Sequence, residues 1–257
     1  MDIIKHINKF IGGVIMPSGY VDIKSSDDKG SFKAYFTSRP YVSDLPRPPG
    51  LVIVQEIFGL SPFLKEMANR YAAHGFAVIV PDLFWRQEDP LTELPDQSEI
   101  ATQKAFELYK GFDVEKGVDD IAASLRWLRE NGNVSGKLGV IGYCLGGLLA
   151  FKSGCQLDID VSVSYYGVGI EKALENKQMI RKPMMLHLAG EDAFVPSDTQ
   201  KILEKEFEES PFVTINKYVG ADHGFARTGG ANYDRAAAEV SDSRTLALLK
   251  KSLTLKS

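Results

Sequence analysis

Cysteine is scarce in this chain. The sequence holds two, Cys144 and Cys155, among 257 residues. Two thiols are too few for a disulfide framework, and neither their number nor their spacing suggests a zinc site. If one helix runs from Cys144 to Cys155, the pair lies ~16 Å apart along its axis, beyond disulfide reach. Cys155 then reads as packing and Cys144 as a free thiol. Long apolar runs are also missing. No stretch approaches the ~20 residues that a membrane span needs. Charge of one sign is missing too: the formal net charge is −4, with no lysine or arginine block, which argues against a nucleic-acid surface. Residues 1–20 carry scattered lysines and an apolar run broken by Gly12-Gly13, a poor signal peptide. The chain therefore reads as unprocessed and cytoplasmic. There is no internal repeat, linker or low-complexity segment, and residues 1–19 read as an N-terminal extension ahead of one domain, 20–257.

What is present centres on Lys137–Gly147. Leu138 to Ile141 is a short apolar run that reads as a buried strand. It breaks into Gly142-Tyr143-Cys144-Leu145-Gly146, and Leu148 to Phe151 starts a helix. A sharp strand-to-helix turn forces the residue at its apex into a crowded backbone conformation, and glycines two before and two after give it room. This is the layout of a nucleophile elbow with Cys in place of Ser. It puts Cys144 at a helix N-terminus, where the dipole and free N–H groups favour a thiolate and a developing oxyanion. The competing account is a glycine-rich turn beside a buried, inert thiol.

Around this stretch, strands and helices alternate. Tyr20–Lys24 and Ser31–Thr37 read as an edge hairpin, and proline-rich 39–50 as a loop. Leu51–Val54 is apolar throughout, as in a parallel strand covered on both faces. Ser61 and Pro62 open a helix with Phe63, Leu64, Met67 and Tyr71 on its buried stripe, and Gly75 stops it. Phe76–Val80 is the next strand. The long connection 81–112, with Pro90 and Pro95, holds one helix near Ser98–Lys110. Asp113 caps an amphipathic helix with Val118, Ile121, Ala122, Leu125 and Leu128 inward. Val161–Tyr166, Pro183–Leu188 and Val213–Val219 are strands. Ser197-x-x-Gln200 has the form of a capping box, and a final helix spans 232–253. The pattern predicts an α/β fold with a mostly parallel central sheet flanked by helices on both faces.

A nucleophile at an elbow needs a base, and the base an orienting acid. In elbow enzymes they follow in the order nucleophile, acid, histidine. Two histidines follow Cys144. His187 lies within a strand and reads as packed. His223 lies just past the last strand, at the carboxyl end where ligands meet α/β sheets, and is favoured as base. Asp192 follows the strand Pro183–Ala189 through Gly190-Glu191 and is the candidate acid, with a turn or solvated aspartate as the competing account. Asp198 is better explained by the helix dipole, Asp222 is too near His223, and Glu191 remains a competitor. Glu56 ends the apolar strand Leu51–Val54. Burying a carboxylate is costly unless it is paired or protonated, so Glu56 is either exposed at the sheet's edge or placed for chemistry. In elbow enzymes the first oxyanion N–H comes from the residue after the nucleophile, here Leu145, and the second from a loop such as the one that follows this strand.

Taken together, the chain resembles the dienelactone hydrolase (carboxymethylenebutenolidase) family, α/β-hydrolases with a Cys nucleophile. The resemblance runs from about Tyr20 to the C-terminus. It is carried by Gln-Glu-Ile-Phe-Gly at 55–59, Pro-Asp-Leu-Phe-Trp-Arg at 81–86, Gly-Tyr-Cys-Leu-Gly-Gly at 142–147, Tyr-Tyr-Gly-Val-Gly at 165–169, Asp192 with Phe194-Val195-Pro196, and His223-Gly-Phe-Ala-Arg227. It implies the α/β-hydrolase fold and a Cys144–His223–Asp192 triad. It also implies that Glu56 holds the resting thiol and helps activate it, that the N–H groups of Ile57 and Leu145 form the oxyanion hole, and that Arg86 and Arg227 bind a substrate carboxylate. The reaction implied is hydrolysis of dienelactone, a small anionic lactone, to maleylacetate in chlorocatechol degradation, by a monomer with no metal or organic cofactor. The alternatives are a hydrolase of another small ester or lactone and a silent scaffold that binds a ligand or partner. A cysteine peptidase is disfavoured, since nothing suggests a long cleft. Gly224 departs from the family pattern, which has Ser after the histidine.

Overall fold

The computed structural model describes residues 7–11, 14–40, 45–88, 91–94 and 98–253. Parts of the expected extension (1–6, 12–13), of the loop 39–50 (41–44) and of the long connection (89–90, 95–97, which include Pro90 and Pro95) lie outside the described residues. The chain divides into two compact units, Met1–Leu138 and Gly139–Ser257.

The first unit contains β1 (Ile7–Ile11), β2 (Val14–Lys24), β3 (Ser31–Thr37), β4 (Gly50–Val54), α1 (Pro62–Ala73), β5 (Ala77–Pro81), α2 (Glu99–Lys110) and α3 (Val114–Asn131). Its strands lie in the order β1-β2-β3-β5-β4, antiparallel except for the β4–β5 pair. The hairpin expected from Tyr20 starts earlier, at Val14, and gains β1 as a partner. Val21 and Ile23 are buried, while Asp22 and Lys24 are exposed, the alternation of a half-covered strand. β4 is buried along its whole length, as its unbroken apolar run predicts. Ser61 holds the N-cap position of α1, but its side chain makes no cap bond and its hydroxyl is buried. Ser98 and Asp113 do cap, accepting from the N–H groups of Ala101 and Lys116 at 3.3 and 3.1 Å. On α3 the inward stripe takes Ala123 in place of Ala122, which is half exposed.

The second unit is built on four parallel strands in sequence order, β6 (Leu138–Tyr143), β7 (Val161–Tyr165), β8 (Met184–Ala189) and β9 (Val213–Tyr218). α4 (Leu145–Gln156), α5 (Ser197–Phe207) and α6 (Arg235–Leu253) connect or follow them, and two short 3₁₀ turns, Ile170–Lys172 and Leu174–Met179, lie between β7 and β8. These turns escape the sequence pattern because they are too short to show a helical period. One core joins Phe151 and Cys155 of α4 to Leu186 and Leu188 of β8 and Leu203 and Phe207 of α5. Parallel strands present their carboxyl ends together, so the loops after β6, β8 and β9 emerge on one side of this unit. Among the described residues, no helix is long and apolar enough to cross a membrane.

Candidate active site

Cys144 is the junction between β6 and α4. Its backbone has φ 55° and ψ −115°, the strained apex expected of an elbow. Gly142 is required by the turn itself: a Cβ there would stand 1.7 Å from the carbonyl oxygen of Gly146. The apex is tied down by its own N–H, which donates to the Tyr165 carbonyl at 3.0 Å, and by its carbonyl, which accepts from Gly147 at 2.9 Å. Leu145 is the first residue of α4. Amides in a first helical turn lack intrahelical acceptors, which leaves them free for an oxyanion.

Asp192 lies on the loop between β8 and α5. One carboxylate oxygen accepts from the N–H groups of Phe194 (2.8 Å) and Val195 (3.1 Å). The other lies 2.9 Å from Nδ1 of His223, and the Asp192 side chain is fully buried. Asp222 instead accepts from the His223 backbone N–H at 2.6 Å, and Asp198 is an exposed partner of Lys201. Glu191 is exposed. Of the four carboxylates weighed from sequence, Asp192 is therefore the one on the His223 ring.

His223 also hydrogen-bonds the Cys144 side chain. Burial disfavours its charged form. The negative charge that Cys144 can carry, the bonds from Asp192 and Cys144, and the charge of Asp192 outweigh that penalty, and together they push its pKa up to about 10. The ring is flanked by Tyr166, at 5.0 Å between centroids, and by the edge of Phe194, at 4.8 Å. Tyr166 has a positive φ of 39° and is wholly buried. Neither ring was singled out by sequence reasoning, although both sit in the quoted motifs. Asn232 donates to the His223 carbonyl at 3.0 Å. Gly224 adopts φ +81°, the left-handed region where glycine is unstrained. Arg227, four residues past the histidine, is buried, and its backbone N–H donates to the Gly224 carbonyl at 2.9 Å.

The other histidine and cysteine of this unit are structural. His187 is fully buried between the Tyr218 hydroxyl (2.8 Å) and the Thr245 hydroxyl (2.9 Å). Burial, helped by the charge of Arg244, pushes its pKa down to about 3. Burial pushes the Cys155 thiol up to about 11, so it stays protonated.

Three candidates belong to the first unit. Glu56 is buried rather than exposed at the sheet's edge, and Ile57 is half-buried, both in the turn after β4. That turn is pinned by Leu60 donating to the Thr92 carbonyl and Leu94 donating to that of Phe58. Arg86 follows β5, with its guanidinium on the Trp85 ring. It pairs with Asp27 at 3.1 Å and with buried Asp120 at 2.8 Å. Asp120 also accepts from the Trp85 indole N–H at 2.7 Å. A substrate carboxylate at Arg86 would have to share the guanidinium with these two.

Comparisons with known proteins follow the same lines. The model of the dienelactone hydrolase family matches residues 32–253. Carboxymethylenebutenolidase of Pseudomonas putida is 38% identical over 201 residues, covering 78% of this chain and 85% of that protein. Carboxymethylenebutenolidase 1 of Cupriavidus pinatubonensis is 37% identical over 235 residues, 91% of this chain and 97% of that protein. Among solved structures, the dienelactone hydrolase-like promiscuous phosphotriesterase P91 from metagenomic libraries matches with a TM-score of 0.74 at 22% identity, covering 93% of this chain and 99% of that one. At that identity the likeness is one of fold, the α/β-hydrolase fold.

Proposed function

This chain belongs to the dienelactone hydrolase family and is a hydrolase of the lactone and ester class, and from that premise we propose that it hydrolyses dienelactone to maleylacetate. The observation that carries the reading is the hydrogen-bonded series Asp192–His223–Cys144, with Cys144 at the N-terminus of α4.

In the proposed cycle the Cys144 thiolate adds to the lactone carbonyl. The Leu145 N–H meets the developing oxyanion. The ring C–O bond breaks, and its electron pair leaves on an enolate, a good leaving group that takes a proton from the His223 imidazolium. The product is an acyl-enzyme thioester. With sulfur acylated, the negative charge that sustained the imidazolium is gone, so His223 stays neutral and can act as a base. It takes a proton from water as the oxygen attacks the thioester. The C–S bond then breaks, and the thiolate and imidazolium are restored. Asp192 holds the Nδ1–H and the ring orientation throughout. The cycle calls for no metal or organic cofactor.

Four further assignments rest on the family resemblance. Glu56 holds the resting thiol and assists the ionisation that first forms the thiolate–imidazolium pair, Ile57 gives the second oxyanion N–H, and Arg86 and Arg227 receive the substrate carboxylate. The same reading makes 20–257 one catalytic domain, working as a cytoplasmic monomer in chlorinated-catechol degradation. Turnover of cis- and trans-dienelactone beside a neutral ester of similar size tests it. Selective lactone turnover is the expected result. Broad ester turnover would point to another small ester as substrate, and no turnover to a silent scaffold.

A further inference from the structure

Gln200 stands in the first turn of α5, and its side chain is wholly buried. The sequence pattern assigns it to a capping box with Ser197. The structure has no such box: Pro196 holds the cap position and no side chain caps the helix. Both Nε2 hydrogens of Gln200 go elsewhere, to the carbonyls of Ala189 and Val195, each at 2.8 Å. These carbonyls open and close the loop that carries Asp192. Val195 is bound from both sides, since its N–H donates to Asp192 while its carbonyl accepts from Gln200. The amide oxygen of Gln200 is buried and has no hydrogen-bond partner among the described residues. Turning the amide over would set that oxygen against two carbonyl oxygens, so the two acceptors fix its orientation. An unmet buried acceptor is a cost, and it is borne here in order to hold the loop.

We propose that Gln200 is a positioning residue for the catalytic acid: it cross-ties the two ends of the Asp192 loop and thereby fixes the aim of the carboxylate at His223 Nδ1. The proposal rests on the Asp192–His223–Cys144 reading above. The groups that face the His223 ring are Asp192, Cys144, Tyr166 and Phe194, with Asp222 on its backbone N–H. Gln200 touches none of the reacting atoms and acts only through the loop.

The test is the Gln200→Met variant, close in size but without donors. The readout is the titration of His223 followed by NMR on carbon-13-labelled histidine, which is tractable with four histidines in the chain. If the cross-tie aims Asp192, the variant stays folded and the His223 midpoint falls by about one pH unit. The loss in kcat should be about tenfold with little change in KM. Leu203→Ala, a buried core change on the same helix, should destabilise the protein without moving that midpoint. An unmoved midpoint in Gln200→Met, or an equal fall in Leu203→Ala, would overturn the proposal. Should Gln200→Met fail to fold, Gln200→Asn, which stays uncharged and polar but is one methylene too short to span both carbonyls, carries the same measurement. The titration uses no substrate. A wild-type enzyme inert towards dienelactone would therefore defeat the functional reading and leave this test standing.

Discussion

Arg86 and Arg227 look alike in the sequence, yet they stand in different surroundings. Arg86 neutralises buried Asp120 and pairs with Asp27, whereas Arg227 sits four residues beyond His223 with its backbone N–H on Gly224. A charged hydrogen bond contributes ~1.5–3 kcal/mol. Arg227→Met is therefore expected to lower kcat/KM for dienelactone by about ten- to a hundredfold and to leave a neutral ester nearly untouched. Arg86→Met strands a buried carboxylate, so its first effect is on stability, toward the low end of ~3–5 kcal/mol because the guanidinium is partly exposed. A urea titration reads that loss. Equal losses on both substrates would make both arginines structural. The thiol supports a second prediction. An alcohol is far harder to ionise than a thiol, and a carboxylate is too weak a base to activate it. Cys144→Ser should fold normally and lose most lactone hydrolysis, its residual rate depending on His223 more than on Glu56. Comparison with Cys144→Ser/Glu56→Gln checks this: if Glu56→Gln costs the Ser enzyme as much as it costs the Cys enzyme, Glu56 is a structural carboxylate.

At the scale of elements, the β6–Cys144–α4 junction tolerates no side chain at Gly142, where a Cβ would overlap the Gly146 carbonyl. Relief would mean moving the strand and the helix apart. Gly142→Ala should therefore cost more than ~3 kcal/mol and abolish turnover, as measured by thermal unfolding and assay. A variant of native stability would show that the junction can yield. Gly224 makes the opposite case. Among the described residues, nothing beyond its chain neighbours lies within 4 Å of a Cβ there, but φ is +81°. Gly224→Ser restores the residue of the family pattern at a cost of about 1–2 kcal/mol in backbone strain alone, and activity is expected to survive. Loss of turnover with stability intact would show instead that the turn between His223 and Arg227 must keep its present shape.

Across the second unit, a buried polar network joins β7, β8, β9 and α6 through Tyr165, His187, Tyr218 and Thr245. His187 has its pKa lowered from 6.5 to about 3. The unfolded chain takes up a proton at this residue below pH 6.5 and the folded protein does not. Stability from this group is therefore complete above pH 6.5 and is lost as pH falls toward 3. The slope is about 1.4 kcal/mol per pH unit. His187→Gln keeps a donor and an acceptor but cannot titrate. Its urea midpoint should fall less than the wild-type midpoint between about pH 6.5 and about pH 4.5. Parallel falls would place the acid sensitivity elsewhere.

The sequence by itself determined what depends on neighbours a few positions apart. Unbroken apolar runs mark β4, β5 and β6 because a strand covered on both faces has no polar side. Gly142 marks the elbow because a Cβ there would meet the backbone carbonyl of residue 146, only four positions away. Ser98 and Asp113 mark two helix starts because a cap is a local bond. Tertiary structure decided what depends on distant partners. Asp192 and Glu191 both stand as candidate acids for His223 on paper; the first reaches the ring across 31 positions, and the second is exposed. Arg86 finds Asp120 across 34 positions, a pairing that no spacing rule announces. Gln200 fits a capping box by spacing, but no box forms: its Nε2 donates to the carbonyls at the two ends of the Asp192 loop, which holds its oxygen away from the helix N-terminus. Local pattern fixes where the chain turns, and burial then fixes which polar groups must find each other.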